Sequence, residues 1–211
     1  MQSMFINDAW NILKTNFHLA IQNNLLLAIA YLLLIPVFRG IANLNSIHSA
    51  ECLEQSVTLI GILLIVPLLA PEQNAALREV LFTKPMSQWK ILFTRVILSL
   101  ITLIILTCTF AGIMIWNGCT FPYWNYVAGT IISELALGNI GFFTAVITHS
   151  TVTGYFISIG YFLLNFLGNI SSQSIFYLFS MGTGNYITKL WLTGISILFL
   201  SATFIYGRKV H

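Results

Sequence analysis

Apolar runs long enough to cross a bilayer alternate along this chain with short polar stretches, and the alternation predicts its elements. A helical crossing takes about 20 residues. Six runs qualify, over residues 20–38, 53–70, 91–116, 126–148, 153–170 and 190–206. Ahead of the first, Ile6, Ala9, Trp10, Leu13 and Phe17 recur at helical spacing opposite Asn7, Asn11 and Lys14. That is the pattern of a helix lying in the membrane interface; an irregular lead-in to the first span is the alternative. Between the second and third runs comes PEQNAALREVLFTKPMSQWK, residues 71–90. Here Leu77, Val80 and Leu81 share one helical face while Arg78 and Glu79 lie off it, which predicts a short amphipathic helix over 73–82. Pro85 ends that helix, because it donates no backbone hydrogen bond and disfavours helical geometry at Lys84. Ser87 then caps the next helix, and Trp89 and Lys90 mark where it enters the membrane.

Composition makes the membrane reading firm. With 57% hydrophobic and 7% charged residues and a mean hydropathy of +0.87, the chain has too little charge to cover a soluble domain. The expected fold is an all-α integral membrane protein, one transmembrane domain over residues 1–211 with six spans, an N-terminal interfacial helix and an amphipathic elbow between spans two and three. The net charge of +3 is scattered, with no basic cluster interleaved with aromatics, so nucleic acid is set aside. The first 24 residues hold one Lys and no small-residue cleavage site after a short apolar core, so no secretory signal is expected.

Charge sets the orientation. With both termini cytoplasmic, Lys14, Arg78, Lys84, Lys90, Arg95, Arg208 and Lys209 fall inside, against Arg39 and Lys189 outside. That is the positive-inside bias expected at a cell membrane, with Trp116 and Trp124 at the outer interface and Trp10 and Trp89 at the inner one. Five of the chain's fifteen charged residues, Glu72, Arg78, Glu79, Lys84 and Lys90, then lie on the cytoplasmic elbow, where water or a partner must meet them.

Candidate chemistry is sparse. No G-x-x-x-x-G-K-[ST] loop is present to cradle nucleotide phosphates, and no soluble stretch is long enough for an ATPase domain. No catalytic residue is assigned. His18, His48, His149 and His211 are isolated and fall on both faces, so no metal site is expected. Cys52 and Cys119 both fall near the outer face, where a disulfide is permissible, and Cys108 lies in the third span. One intramembrane carboxylate stands out, Glu134, about a third of the way through span four. A charge facing lipid there costs about 2.5 to 3.5 kcal/mol on insertion scales, so Glu134 should face inward. It either lines a pathway, with Asn139 or Asn165, or clasps a neighbouring helix; Gly138, Gly141 and Ala145 on the same span permit close helix approach.

The N-terminal amphipathic helix, the six spans and the elbow REVLFTKPMSQWKILFTRV resemble the permease subunits of ABC exporters of the type-2 class. Glu79, Leu81, Thr83, Lys84, Pro85, Ser87 and Lys90 match the family's elbow in order, and the overall layout covers nearly the whole chain. The resemblance implies that the elbow is a coupling helix docking on a separate ATPase subunit. Leu77, Arg78, Glu79, Val80, Leu81 and Lys84 would form the contact, assisted by Trp10 and Lys14 of the N-terminal helix. It also implies ATP and Mg on that partner and none in this chain, a second permease subunit, identical or similar, and an amphipathic or hydrophobic cargo such as an antimicrobial peptide or a lipid. Related permeases place short re-entrant helices between spans five and six. Here that loop reads SSQSIFYLFSMGTGNY, with a short helical run expected around Ile175–Phe179 or, alternatively, an ordinary surface loop. The competing reading is a non-transporting membrane scaffold that recruits another cytoplasmic protein. A secondary transporter is disfavoured, because a single carboxylate and no inverted repeat give little machinery for ion coupling.

The orientation is open to direct test. Single cysteines at Asn74 and Arg208 are expected to stay protected from impermeant thiol reagents in intact cells, while one at Gln173 reacts. Labelling at position 74 from outside overturns the assignment.

Overall fold

A computed structural model describes residues 21–73, 88–168, 170, 171 and 173–210, with backbone alone at 72, 73, 88–90 and 207–210. The N-terminal helix with Trp10 and Lys14, and the elbow with Leu77, Arg78, Glu79, Val80, Leu81 and Lys84, lie outside the described residues.

The described residues form helices and connecting turns, with no strand among them. The helices are α1 (Gln22–Arg39), α2 (Ser46–Leu69), α3 (Gln88–Trp116), α4 (Tyr123–Thr148), α5 (Thr151–Phe166) and α6 (Tyr186–Val210). Five of these, all but α5, are long and apolar enough to cross a membrane. Two of them begin earlier than the sequence pattern suggested. The second starts at Ser46, where Asn45 caps it by accepting from the His48 backbone N–H at 2.9 Å. The sixth starts at Tyr186. Hydrophobic runs locate the lipid-crossing portion of a helix, whereas these helices extend beyond it into polar sequence that the interior of the bundle accommodates.

The fifth run departs further from expectation. Ser150 caps α5 and the helix stops at Phe166, where Gly168 at φ +74° turns the chain. Its 16 residues span about 24 Å, short of the roughly 30 Å hydrocarbon thickness. The space beyond its end is taken by the segment leading to α6. Instead of the helical run expected around Ile175–Phe179, this segment consists of turns and bends, and Leu178, Phe179, Ser180 and Met181 are buried in the bundle. Phe179 packs edge-on to Phe162 of α5, with ring centroids 5.7 Å apart.

The central helix is α4, packed along α2, α5 and α6 and touching α3. Small residues let its neighbours approach. A side chain on Gly61 of α2 would collide with the Glu134 backbone, and one on Gly141 would collide with Ser158 and the Gly154 backbone of α5. Gly138 faces Gly61 and Ile65, and Ala145 faces Gly154, as the small-residue spacing on this span anticipates. The outer surfaces of the peripheral helices carry exposed large apolar side chains: Leu26, Leu33 and Val37 on α1, Phe93, Ile101 and Ile105 on α3, and Leu190, Trp191 and Leu198 on α6. Trp116 and Trp124 are exposed at one end of the bundle. The loops at that end are tied together, the Asn43 N–H donating to Asn117 O and the Thr120 N–H to Leu44 O.

Polar groups are turned inward or satisfied locally. Thr102, Thr107, Thr109, Thr130, Thr193 and Thr203 each donate to the carbonyl one turn back in their own helix. Helix α2 is irregular at two places. A π turn spans Leu53–Val57, and a 3-10 turn at Val66–Leu69 accommodates Pro67, which has no N–H to give. Donors from α3 serve carbonyls in and just before the second stretch: Arg95 Nη1 reaches Leu68 O at 3.0 Å and Ser99 Oγ reaches Leu64 O at 3.0 Å. Arg95, counted above among the inner charges, is thus buried. All three cysteines are free thiols, and Cys119 donates to Ile41 O, so the permissible Cys52–Cys119 bridge is not formed.

The close contact at Gly61 predicts an asymmetric pair of variants. Gly61→Ala is expected to cost about 1 to 3 kcal/mol, because α2 must back away from the Glu134 backbone. Gly112→Ala, whose new methyl meets open space on α3, should be neutral or stabilising by up to about 1 kcal/mol. Thermal unfolding in detergent compares the two.

Candidate functional site

Polar side chains that the sequence scatters over five helices meet inside the bundle at three levels. Toward the end marked by Trp116 and Trp124, Glu54 of α2 meets Lys189 of α6, Oε1 to Nζ at 2.6 Å, with both side chains almost completely buried. The π turn of α2 carries Glu54, and Thr58 closes it by bonding back to Leu53 O at 3.2 Å. The ammonium has three N–H groups and three acceptors: Glu54 Oε1, Ser133 Oγ of α4 and Leu178 O of the 170–185 segment. Glu54 Oε1 in turn accepts the Met181 N–H at 3.0 Å. Asn165, near the end of α5, accepts the Leu178 N–H at 2.9 Å and donates to Tyr161 O at 3.0 Å. A methyl at Gly129 would strike Met181, so glycine on α4 makes the room that this segment occupies.

At the middle level Glu134 is wholly buried, and its carboxyl takes the Thr107 hydroxyl of α3 at 2.9 and 3.0 Å. The same hydroxyl lies 3.0 Å from Leu103 O. One hydroxyl proton serves one acceptor at a time, so this is a bond shared between helix backbone and carboxyl. Of the two alternatives for Glu134, the geometry is that of an interhelical clasp between α3 and α4.

At the third level Asn139 Nδ2 reaches Ser196 Oγ of α6 at 2.7 Å and Ser196 O at 3.3 Å. This amide borders a cleft of about 80 Å³ between α2, α3, α4 and α6, otherwise walled mainly by Ile65, Leu68, Val96, Leu100 and Leu135. A space that size holds a few waters or the tip of an aliphatic group. Asn139 therefore borders open space, Glu134 is engaged by Thr107, and Asn165 holds the 170–185 segment. The three polar residues singled out as pathway or interhelical groups do not converge on one point.

Sequence reasoning missed Glu54, Lys189, Ser133 and Ser196. Glu54 is the second residue of the apolar run at 53–70, and Lys189 stands just before the run at 190–206, where it was counted as an outer charge. Because both helices start earlier, Glu54 lies well inside α2 and not at its edge, Lys189 falls within α6, and Glu134 is not the only carboxylate inside the bundle. The available signal was an acid at the start of one span and a base just before another on the same side, since an isolated charge at such depth is costly and a hydrogen-bonded pair costs less. On the flank, Arg39 binds Gln55 at 2.9 Å and Glu51 at 3.7 Å, tying α1 to the start of α2. Among the described residues no three His, Cys, Asp or Glu side chains gather to hold a metal.

Comparison with protein-family models, curated proteins and solved structures returns no match.

The clasp yields a paired prediction. Glu134→Gln keeps a group that can bond Thr107, so thermal stability in detergent is expected to stay within about 1 kcal/mol of the parent. Thr107→Val strands the buried carboxyl and is expected to cost about 1 to 3 kcal/mol. If Thr107→Val melts like the parent, while Glu134→Gln keeps its stability but alters transport or cargo-stimulated ATP hydrolysis, Glu134 serves a pathway instead.

Proposed function

We propose that this chain is the membrane-spanning permease subunit of an ATP-driven exporter of the type-2 ABC class. It carries no catalytic machinery of its own and moves an amphipathic or hydrophobic cargo, such as an antimicrobial peptide or a lipid, across or out of the cell membrane. The observation that carries the reading is the elbow between α2 and α3. The helical turn after α2 ends at Gln73 and α3 begins at Gln88, so the connection contains LREVLFTK, with its apolar triad Leu77, Val80 and Leu81 and the charges Arg78, Glu79 and Lys84.

In this reading the elbow is the coupling helix. Leu77, Val80 and Leu81 seat in a groove of an ATPase subunit that binds ATP and Mg, and the charges set register at the rim. Trp10 and Lys14 extend the contact, the termini are cytoplasmic, and a second permease subunit completes the assembly. Helix order supports this sidedness: crossing helices joined by short turns alternate in direction, which brings residue 21, the 73–88 connection and the end of α6 to one face. An apolar cleft bordered by the single amide of Asn139 suits an aliphatic cargo better than a charged one.

A scaffold that recruits some other cytoplasmic protein is the second reading. It is favoured by the engagement of Glu54, Lys189, Glu134 and Asn139 in bonds within the bundle and by the small size of the cleft beside Asn139.

Docking decides between them. Removing buried apolar anchors from an interface commonly costs 2 kcal/mol or more. Replacing Leu77 and Leu81 together with Asp is therefore expected to release the ATPase from the detergent-solubilised complex while the permease stays monodisperse. Arg78→Ala should do much less, since exposed pairs are worth about 0 to 1 kcal/mol. If no ATPase co-purifies with the unmodified chain, or if the double Asp variant still carries a fully stimulated one, the exporter reading fails and the scaffold replaces it.

A further inference from the structure

We propose that residues 173–185 form a displaceable plug at the Trp116/Trp124 end of the bundle, bolted shut at Leu178, whose N–H is held by Asn165 and whose C=O is held by Lys189.

The segment differs from everything around it. It has no helix of its own, and its internal backbone bonds are a few turn contacts: Tyr177 N–H to Ser174 O, Gly184 N–H to Met181 O and Asn185 N–H to Ser180 O. Yet Leu178, Ser180 and Met181 are as buried as any helical core residue. Backbone at such depth is tolerated only where protein supplies its partners. Here the partners come from outside the segment. The Leu178 N–H goes to Asn165, Leu178 O takes Lys189 and Ser133, the Met181 N–H goes to Glu54, and Phe176 O takes the Tyr161 hydroxyl. Glycines in the left-handed region stand near both ends, Gly168 at φ +74° and Gly184 at φ +71°, where a chain segment can swing without strain.

The bond arrangement makes release of the plug easier than release of any helix. Of the three acceptors around the Lys189 ammonium, only Leu178 O belongs to the segment, while Glu54 and Ser133 sit on α2 and α4. The plug can leave while the ion pair stays formed, so no unpaired charge is created in the bundle. Withdrawal vacates the volume beyond the short α5 and uncovers the Glu54–Lys189 pair. As a plug the segment stands independently of the exporter reading; its use as the outward gate for cargo rests on that reading.

The test reads access to Ser180, a wholly buried side chain whose hydroxyl has no partner among the described residues, so that cysteine replaces it with little disturbance. In full-length protein with Cys52, Cys108 and Cys119 changed to Ala, single cysteines are placed at Ser180, at exposed Gln173 and at Ser99, buried on α3. Labelling by an impermeant maleimide is timed in detergent and in intact cells. In the parent, positions 180 and 99 are expected to react far more slowly than 173. Asn165→Ala, which leaves the ion pair intact, is expected to speed labelling at 180 about tenfold or more, since a buried thiol reacts in proportion to the open population. Position 99 should not change. Glu54→Gln with Lys189→Met removes both charges together, and it should also speed 180 selectively.

If both backgrounds label 180 as slowly as the parent, or if 99 opens together with 180, the segment is an integral part of the bundle and the plug is refuted. The measurement needs no ATPase, so it stands or falls separately from co-purification of the ATPase. Exposure of 180 in detergent but not from outside intact cells would place the plug on the cytoplasmic face and exclude the outward gate.

Discussion

A charged amine cannot sit alone in a bundle that hydrocarbon surrounds, and the Trp116/Trp124 end of this protein is arranged around that constraint. Lys189 has three protons to place where little water competes, and three different elements supply the acceptors: α2 through Glu54, α4 through Ser133 and the segment before α6 through Leu178 O. The residue therefore fixes where the start of α6 lies against α2 and α4. It also explains why a non-helical segment survives deep in the bundle, because the same network pairs its backbone groups.

The rest of the interior follows from the exchange of roles that a bilayer imposes. Lipid is as apolar as leucine, so burying leucine drives helices together only weakly; close packing and shared hydrogen bonds must do so. The seams of α4 show both. Gly61 lets α2 reach the backbone at Glu134, and Gly141 and Gly154 let α5 close on α4. Along the same helix Ser133, Glu134 and Asn139 reach α6, α3 and α6 again. The outer surfaces of α1, α3 and α6 remain apolar because lipid is their solvent. Small and polar residues accordingly concentrate on α4, the helix with most neighbours.

The two candidate functional regions differ in kind. The elbow carries the exporter reading through residue pattern: an apolar triad flanked by charge, stopped by Pro85, on a connection between two spans. The interior carries the plug through geometry: bonds that converge on the backbone of one residue, Leu178, from three helices. Neither depends on the other. A bundle that opens at one end and is driven at the other needs a link between them, and α2 is the element that touches both. It bears Glu54 within its π turn, and its 3-10 turn, bonded by Arg95 of α3 while Ser99 bonds Leu64 just before it, leads through Ala70–Gln73 toward the elbow.

What the sequence determined by itself was whatever depends on local composition. Runs of apolar residues located five crossing helices to within a few residues at their lipid-facing parts, because any chain must satisfy its backbone inside hydrocarbon by forming helix. The inward face of Glu134 and the small-residue seam at Gly138, Gly141 and Ala145 were legible for the same reason, since lipid tolerates neither a bare carboxylate nor a loose seam. Tertiary structure alone decided where each helix starts, and so that Glu54 lies well inside α2 and Lys189 within α6, where the two meet. It decided that the fifth run yields a helix of 16 residues, with its shortfall made up by a folded segment. It also decided that Asn139 borders space while Asn165 holds backbone. These outcomes turn on partners far apart in the chain, such as Glu54 and Lys189 or Asn165 and Leu178. A charge beside an apolar run reads as a surface charge until the folded chain brings its counter-charge within hydrogen-bonding distance.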